Sequence, residues 1–302
     1  MVAEILIGAR FLQYAGAFVL FGTSAFYLYG TRVPVRPVEL QQGSAERPLM
    51  RVAAGAGLLG AVVWLMAETV VMSGAASDAT NPSALWAIVS ETRFGLACSV
   101  RILLLLLSLG VCFVVNRPQV LWWFLLLLGG AVSLSFAWTG HGALEINKTA
   151  GFHLAGDLLH LLAAGIWIGA LVPLAAMGFR ATRSATIEDA QELRFALTKF
   201  SSIGVWVVAV LVLSGVINSV FLIDFGHWRT SLSSPYARVL VVKLALFGAM
   251  LGLAALNRYR TPLATALKAV KARLVIETLL AVLVLGAASI LGTLEPPVGD
   301  NF

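Results

Sequence analysis

The chain has 302 residues, of which 59% are hydrophobic and only 12% charged. A soluble domain of this size carries roughly 25% charged residues, so the balance excludes an ordinary soluble globule and points to an integral membrane protein. The net charge of +6 does not signal nucleic acid, because the basic residues fall in loops between apolar runs rather than in one patch.

A hydrocarbon core about 30 Å thick needs ~20 apolar residues in a helix. Eight runs meet this length, at about 4–29, 50–72, 93–115, 118–138, 153–177, 201–223, 238–257 and 272–293. The first run lacks the basic n-region of a signal peptide and is expected to stay as a membrane helix. Segment 82–92 is expected to form a short interfacial helix or re-entrant piece leading into the third span. No internal repeat and no separate soluble domain is evident. The expected fold class is all-α: a single membrane domain over residues 1–302, a bundle of about eight transmembrane helices.

Orientation follows from Lys and Arg in the short loops. Arg32, Arg36, Arg47 and Arg51 lie between spans 1 and 2, and Arg117 between spans 3 and 4. Arg180, Arg183, Arg194 and Lys199 lie between spans 5 and 6, and Arg258, Arg260, Lys268, Lys271 and Arg273 between spans 7 and 8. With the even span count, this bias predicts both termini on the outer, periplasmic side.

The fifth run, GFHLAGDLLHLLAAGIWIGALVPLAAMGF, sets His153, Asp157 and His160 into its first half. Ionisable groups inside a membrane segment are costly and mark function by default. Their i, i+4, i+7 spacing puts all three on one helix face. Asp157 lies ~6 Å and His160 ~10 Å beyond His153 along the axis. Imidazole and carboxylate both ligate metal cations, with imidazole suited to copper, zinc and nickel. Metal–ligand bonds are only ~2 Å, so His153 and His160 cannot share one ion through this helix, and the row reads as successive stations. It also fits a structural hydrogen-bond network between helices, or a proton relay. Gly165 and Gly169, further along, form a small-xxx-small packing surface.

Residues at similar depth enlarge the candidate set. Glu68 and Met72 share a face near the outer end of span 2, and His141, between spans 4 and 5, could close over the mouth. His227 has a weaker claim. Arg101 in span 3 and Lys243 in span 7 should sit near the depth of Asp157 and Glu68, and are expected to pair with these carboxylates as ion pairs buried in the bundle. Cys98 could ligate Cu(I) as a thiolate but reads better as a small apolar residue, and Cys112 as packing. Ser214, Asn218 and Ser219 in span 6 read as helix–helix hydrogen bonds. There is no CxxC motif, nucleotide loop, hydrolase nucleophile or zinc-protease helix, so no enzymatic constellation is visible.

The stretch GDLLHLLAAGIWIGALVPL resembles the signature of the copper resistance protein D family. ETRFGLACSVR is similar to that family's T-x-F-G-x-x-W-x-x-R element at Thr92, Phe94, Gly95 and Arg101. SPYARVLVVKLALF is similar to its Y-G-x-x-L-x-x-K-L-x-L-F stretch at Tyr236, Leu240, Lys243, Leu244, Leu246 and Phe247. ALNRYR and VIETLLAVLVLGAASILGTLEPP continue the resemblance over essentially the whole chain. Cys98 stands where the family often has Trp, Ala237 where it often has Gly, and Gln13 where His would be expected.

The resemblance implies a multi-pass inner-membrane protein for copper uptake or tolerance, carrying copper as Cu(I) or Cu(II). It also implies a small periplasmic copper-binding partner. On that reading copper meets His141 and His153 first, then Asp157 and His160, with help from Glu68 and Met72. The alternative is a haem-carrying electron-transfer protein or cupric reductase, which needs axial ligands from two facing helices.

Overall fold

In a computed structural model, the described residues are 2–31, 46–139, 150–184, 186–222, 233–259 and 263–297. They form nine α-helices and short 3₁₀ turns, with no strand among them. The helices are α1 (Val2–Tyr29), α2 (Glu46–Ser73), α3 (Pro82–Glu91), α4 (Arg93–Val114) and α5 (Pro118–Ser135). They continue as α6 (Ala150–Ser184), α7 (Ile187–Leu222), α8 (Pro235–Tyr259) and α9 (Leu263–Leu291). All but α3 contain an apolar stretch long enough to cross a membrane. The short helix expected at 82–92 is α3, ten residues long.

Local chemistry explains several boundaries. Asn81 caps α3 by accepting from the Ser83 amide, with Pro82 at the first helical position, where its missing N–H costs nothing. Thr92 caps α4 by accepting from the Gly95 amide at 2.8 Å, and Pro118 opens α5. Helices α6 and α7 outrun their apolar stretches, at 35 and 36 residues. The excess in α7 is amphipathic: Leu193, Ala196 and Phe200 are buried, at the 3–4 residue spacing of one face, while Glu188 and Asp189 occupy the first turn. Hydropathy marks the lipid-crossing part of such a helix and misses the part that packs beyond it.

Two apolar clusters make the core. One gathers α1, α2, α4 and α5 around Phe18, Met50, Leu105, Leu121 and Leu125. The other gathers α6 to α9 around Trp167, Leu171, Leu174, Phe200, Met250 and Leu274. Large apolar side chains outside them, such as Leu103, Leu107, Trp206, Leu213, Val241 and Leu283, are exposed on the flanks of the helices, as a lipid-facing surface requires.

The clusters meet where α1 crosses α6, and glycine decides how closely. A Cβ on Gly169 would overlap the Phe18 carbonyl and the Gly22 backbone, and one on Gly22 would overlap the Gly165 carbonyl. This is the packing surface expected of Gly165 and Gly169. Pro173 lies inside α6 and donates no N–H to the carbonyl four residues earlier. That carbonyl belongs to Gly169, and the Thr23 hydroxyl donates to it at 2.7 Å. Thr23 ends a five-residue π-helical segment, Val19–Thr23, so a widened turn in α1 and a proline in α6 meet at one hydrogen bond.

Candidate metal-binding face and cavity

The helix directions bring the start of α1, the end of α5, the starts of α6 and α8, and the ends of α7 and α9 to one end of the bundle. A cavity of about 540 Å³ opens among them, lined by His153, Asp157 and His160 together with Arg10, Asn218 and Lys243. Much of the remaining wall is apolar, including Phe18, Leu161, Leu211, Phe247 and Leu285.

The row on α6 is brought together as the helical spacing requires. His153 is 1% exposed, and its Nε2 lies 3.9 Å from Asp157 Oδ2. The Asn218 amide of α7 donates to Asp157 Oδ1 at 2.6 Å. His160 Nδ1 lies 3.0 Å from the Ser214 hydroxyl, which directs its own proton to the Val210 carbonyl at 2.6 Å. Ser214 therefore accepts from His160, and the tautomer assigned by this network carries its proton on Nδ1. Nε2 keeps the lone pair that a metal needs.

Ser214 and Asn218 make the helix–helix hydrogen bonds expected of span 6. Their partners are His160 and Asp157, so the same bonds orient candidate ligands. Lys243 lies in the same cavity, near enough for its charge to act on Asp157 and on His160.

The other candidates are placed apart. Glu68 accepts from the Trp64 indole at 3.1 Å and does not line the cavity. Met72, on the same helix, is 51% exposed. His141 and His227 lie outside the described residues. Among the described residues no three His, Cys, Asp or Glu side chains converge on one metal position. Cys98 is buried, with its Sγ 3.5 Å from the Ala61 carbonyl, as a packed thiol would be.

Arg101 departs from the expected carboxylate pairing. It is fully buried, yet its hydrogen bonds go to neutral acceptors. Nε donates to Ser135 Oγ at 2.9 Å, Nη1 to Gln13 Oε1 at 2.8 Å, and Nη2 to the Ser135 carbonyl at 3.0 Å and Thr139 Oγ1 at 3.1 Å. The guanidinium also lies over Phe136 at 4.3 Å. Gln13 donates in turn to the Ala9 and Gly60 carbonyls, tying α1, α2 and α4 together. A glutamine serves this role because it both accepts and donates, so Gln13 acts as a brace for Arg101.

Sequence reasoning missed Arg10 and the hydrogen bond between Trp167 and Glu277, though Glu277 itself stands out as an ionisable residue within the last span. Arg10 lines the cavity, and its only signal was a basic residue inside the first apolar run. Trp167 of α6, at the inner part of the cavity wall, donates through its indole to Glu277 of α9 at 3.2 Å. Glu277 is 1% exposed.

The fold and this face define a polytopic α-helical membrane protein with a row of His and Asp side chains lining a cavity at one end. Residues 1–147 match the family model described as copper resistance protein D-like, N-terminal domain, and residues 194–291 match that of copper resistance protein D. The chain is 34% identical to copper resistance protein D of Pseudomonas syringae pv. tomato over 310 aligned positions, covering 98% of each chain. It belongs to the copper resistance protein D family. It is 27% identical to the inner membrane protein YebZ of Escherichia coli (strain K12), covering 86% of this chain and 85% of that one. It is 32% identical to the copper transport protein CutJ of Bacillus subtilis (strain 168) over 124 residues, 41% of this chain and 22% of that one. No solved structure matches.

Proposed function

We propose that the protein is a non-enzymatic copper permease of the inner membrane, taking up copper at its periplasmic end and holding it in transit at His160. The observation that carries this reading is the placement of His153, Asp157 and His160 on one face of α6, along one cavity, with His160 Nε2 left as the nitrogen available for a metal. Family membership supplies the choice of copper among the cations that imidazole suits. His153, nearer the start of α6, is the entry ligand, assisted by His141, which falls between spans 4 and 5 in the sequence. Asp157 supplies negative charge beside both imidazoles. Copper, as Cu(I) or Cu(II), arrives from a small periplasmic copper-binding protein.

The haem reading is less well supported. His153 and His160 belong to the same helix, whereas a bis-imidazole haem needs them from opposite sides of the ring.

The test is copper content. Protein purified after growth in copper should retain the metal, and cells carrying it should accumulate copper. His160→Ala should abolish both. A Soret band in the purified protein would replace this reading with the haem one, and full copper retention in His160→Ala would reduce the row to a structural network.

A further inference from the structure

The charges of the described residues that line the cavity disfavour a bare cation. Arg10 enters from α1 and Lys243 from α8, and Asp157 is the carboxylate that faces them among the described residues. Lys243 shares the cavity with Asp157, and Asp157 accepts from the Asn218 amide. Arg10 makes no ion pair with an acidic side chain among the described residues, and Glu68, which does not line the cavity, bonds instead to the Trp64 indole. Its guanidinium lies over the Trp64 ring at 4.9 Å, and its Nε is buried with no acceptor. Gly292, just past the end of α9, makes the room: a Cβ there would overlap the Arg10 guanidinium. Among the described lining residues two basic side chains face one carboxylate, and a bare copper ion would add to that positive charge in a membrane interior, where like charges repel far more strongly than in water.

Size points the same way. The cavity offers about 540 Å³, whereas each water occupies ~30 Å³ of liquid and metal–ligand bonds are ~2 Å long. An ion with its few ligands leaves most of the space unfilled, and much of the surrounding wall is apolar. The cargo that matches has a metal, an anionic group and a carbon body.

Resting on the copper reading above, we propose that the cavity takes copper as a chelate with a small organic carboxylate, and that Arg10 is the subsite for the carboxylate. One carboxylate oxygen stays on copper while the other accepts from the Arg10 fork, whose planar geometry suits carboxylate. His160 Nε2 gives its lone pair to copper in place of one coordinated water. This is ligand exchange, and no electron or proton is transferred. The carbon body of the chelator lies against the apolar wall, and its negative charge answers the excess positive charge.

The test uses the purified full-length protein in detergent, dialysed against radioactive copper presented with radiolabelled leucine as the carboxylate chelator. The unmodified protein should retain both labels, with about one leucine or more per copper, and should retain leucine only when copper is present. Arg10→Gln should lose the leucine label and need at least ~10-fold more copper–leucine for half-saturation, while Arg10→Lys, which keeps the charge but not the fork, should fall between. Thermal unfolding of both variants identifies any loss that comes from misfolding, and Arg10→Lys then carries the comparison.

Copper retained without leucine by the unmodified protein would overturn the proposal and leave the copper reading standing. Equal leucine retention in Arg10→Gln would overturn it as well. Leucine held without copper, or an anionic phospholipid co-purifying in an Arg10-dependent way and excluding the label, would assign Arg10 to a free anion or a lipid headgroup instead. Failure of the unmodified protein to hold copper in any presentation would overturn the copper reading itself.

Discussion

On the proposed copper reading, His160 and Ser214 form the smallest unit on which metal binding depends. The hydroxyl of Ser214 donates its hydrogen bond to the Val210 carbonyl and so favours the imidazole tautomer protonated on Nδ1. Loss of such a supporting hydrogen bond typically costs ~10–100-fold in metal affinity. Ser214→Ala should therefore weaken copper binding by about 10-fold with little change in unfolding temperature, and His160→Ala should weaken it further than that range. Asp157→Asn should sit between, because the amide keeps a polar contact and loses the charge. Titration of the purified variants with copper presented as its leucine complex ranks them. Equal affinity in Ser214→Ala and the unmodified protein would show that Ser214 does not set the imidazole. His153→Ala should slow copper loading more than it lowers final occupancy, which stopped-flow mixing resolves.

Arg101 makes a separate argument at the same scale. A fully buried guanidinium satisfied by Gln13, Ser135 and Thr139 leaves several acceptors without donors when it is removed. Hydrogen bonds to charged groups contribute about 1.5–3 kcal/mol each. Arg101→Met should thus destabilise the bundle by about 2 kcal/mol or more, read as a lower unfolding temperature in detergent. It should do so whether or not copper is bound, since Arg101 does not line the cavity.

Among the helices, the crossing of α1 and α6 depends on Thr23, Gly169 and Pro173. Thr23→Val keeps the shape and removes the donor to the Gly169 carbonyl. An unsatisfied buried acceptor costs about 1–3 kcal/mol, so the variant should unfold at lower temperature. Gly169→Val should be worse, because its side chain would meet backbone rather than a movable side chain. Gly110, in α4, has nothing within 4 Å of a built Cβ, and Gly110→Ala should be neutral or slightly stabilising, as alanine is the better helix former. Similar stability of Gly169→Val and Gly110→Ala would contradict the crossing described above.

For the whole molecule, the distribution of basic residues predicts which end of the bundle faces which compartment. The positive-inside rule assigns the loops rich in Lys and Arg to the cytoplasm. Reporter fusions at residues 40, 190 and 265 should report cytoplasm, and fusions at 80, 147 and 230 the outer side. A cytoplasmic signal at 147 would put the cavity at the wrong end and end the uptake reading.

Much of this architecture was legible in the sequence because the bilayer imposes a length and a polarity on every span. Eight apolar runs, the short α3 and the small-residue face of α6 follow from these constraints and from helical periodicity, all of which act along the chain. The shared face of His153, Asp157 and His160 was legible for the same reason. The surroundings of that face required the tertiary structure. Asn218 and Ser214 lie 61 and 54 residues from the side chains they orient, and Arg101 and Gln13 are separated by 88. Glu68 and Met72 have a suitable depth, but depth constrains position only along the membrane normal. Which side chains face the cavity is settled by the rotation of each packed helix about its axis: Arg10 of α1 lines the cavity, whereas Glu68 of α2 is held by the Trp64 indole outside it.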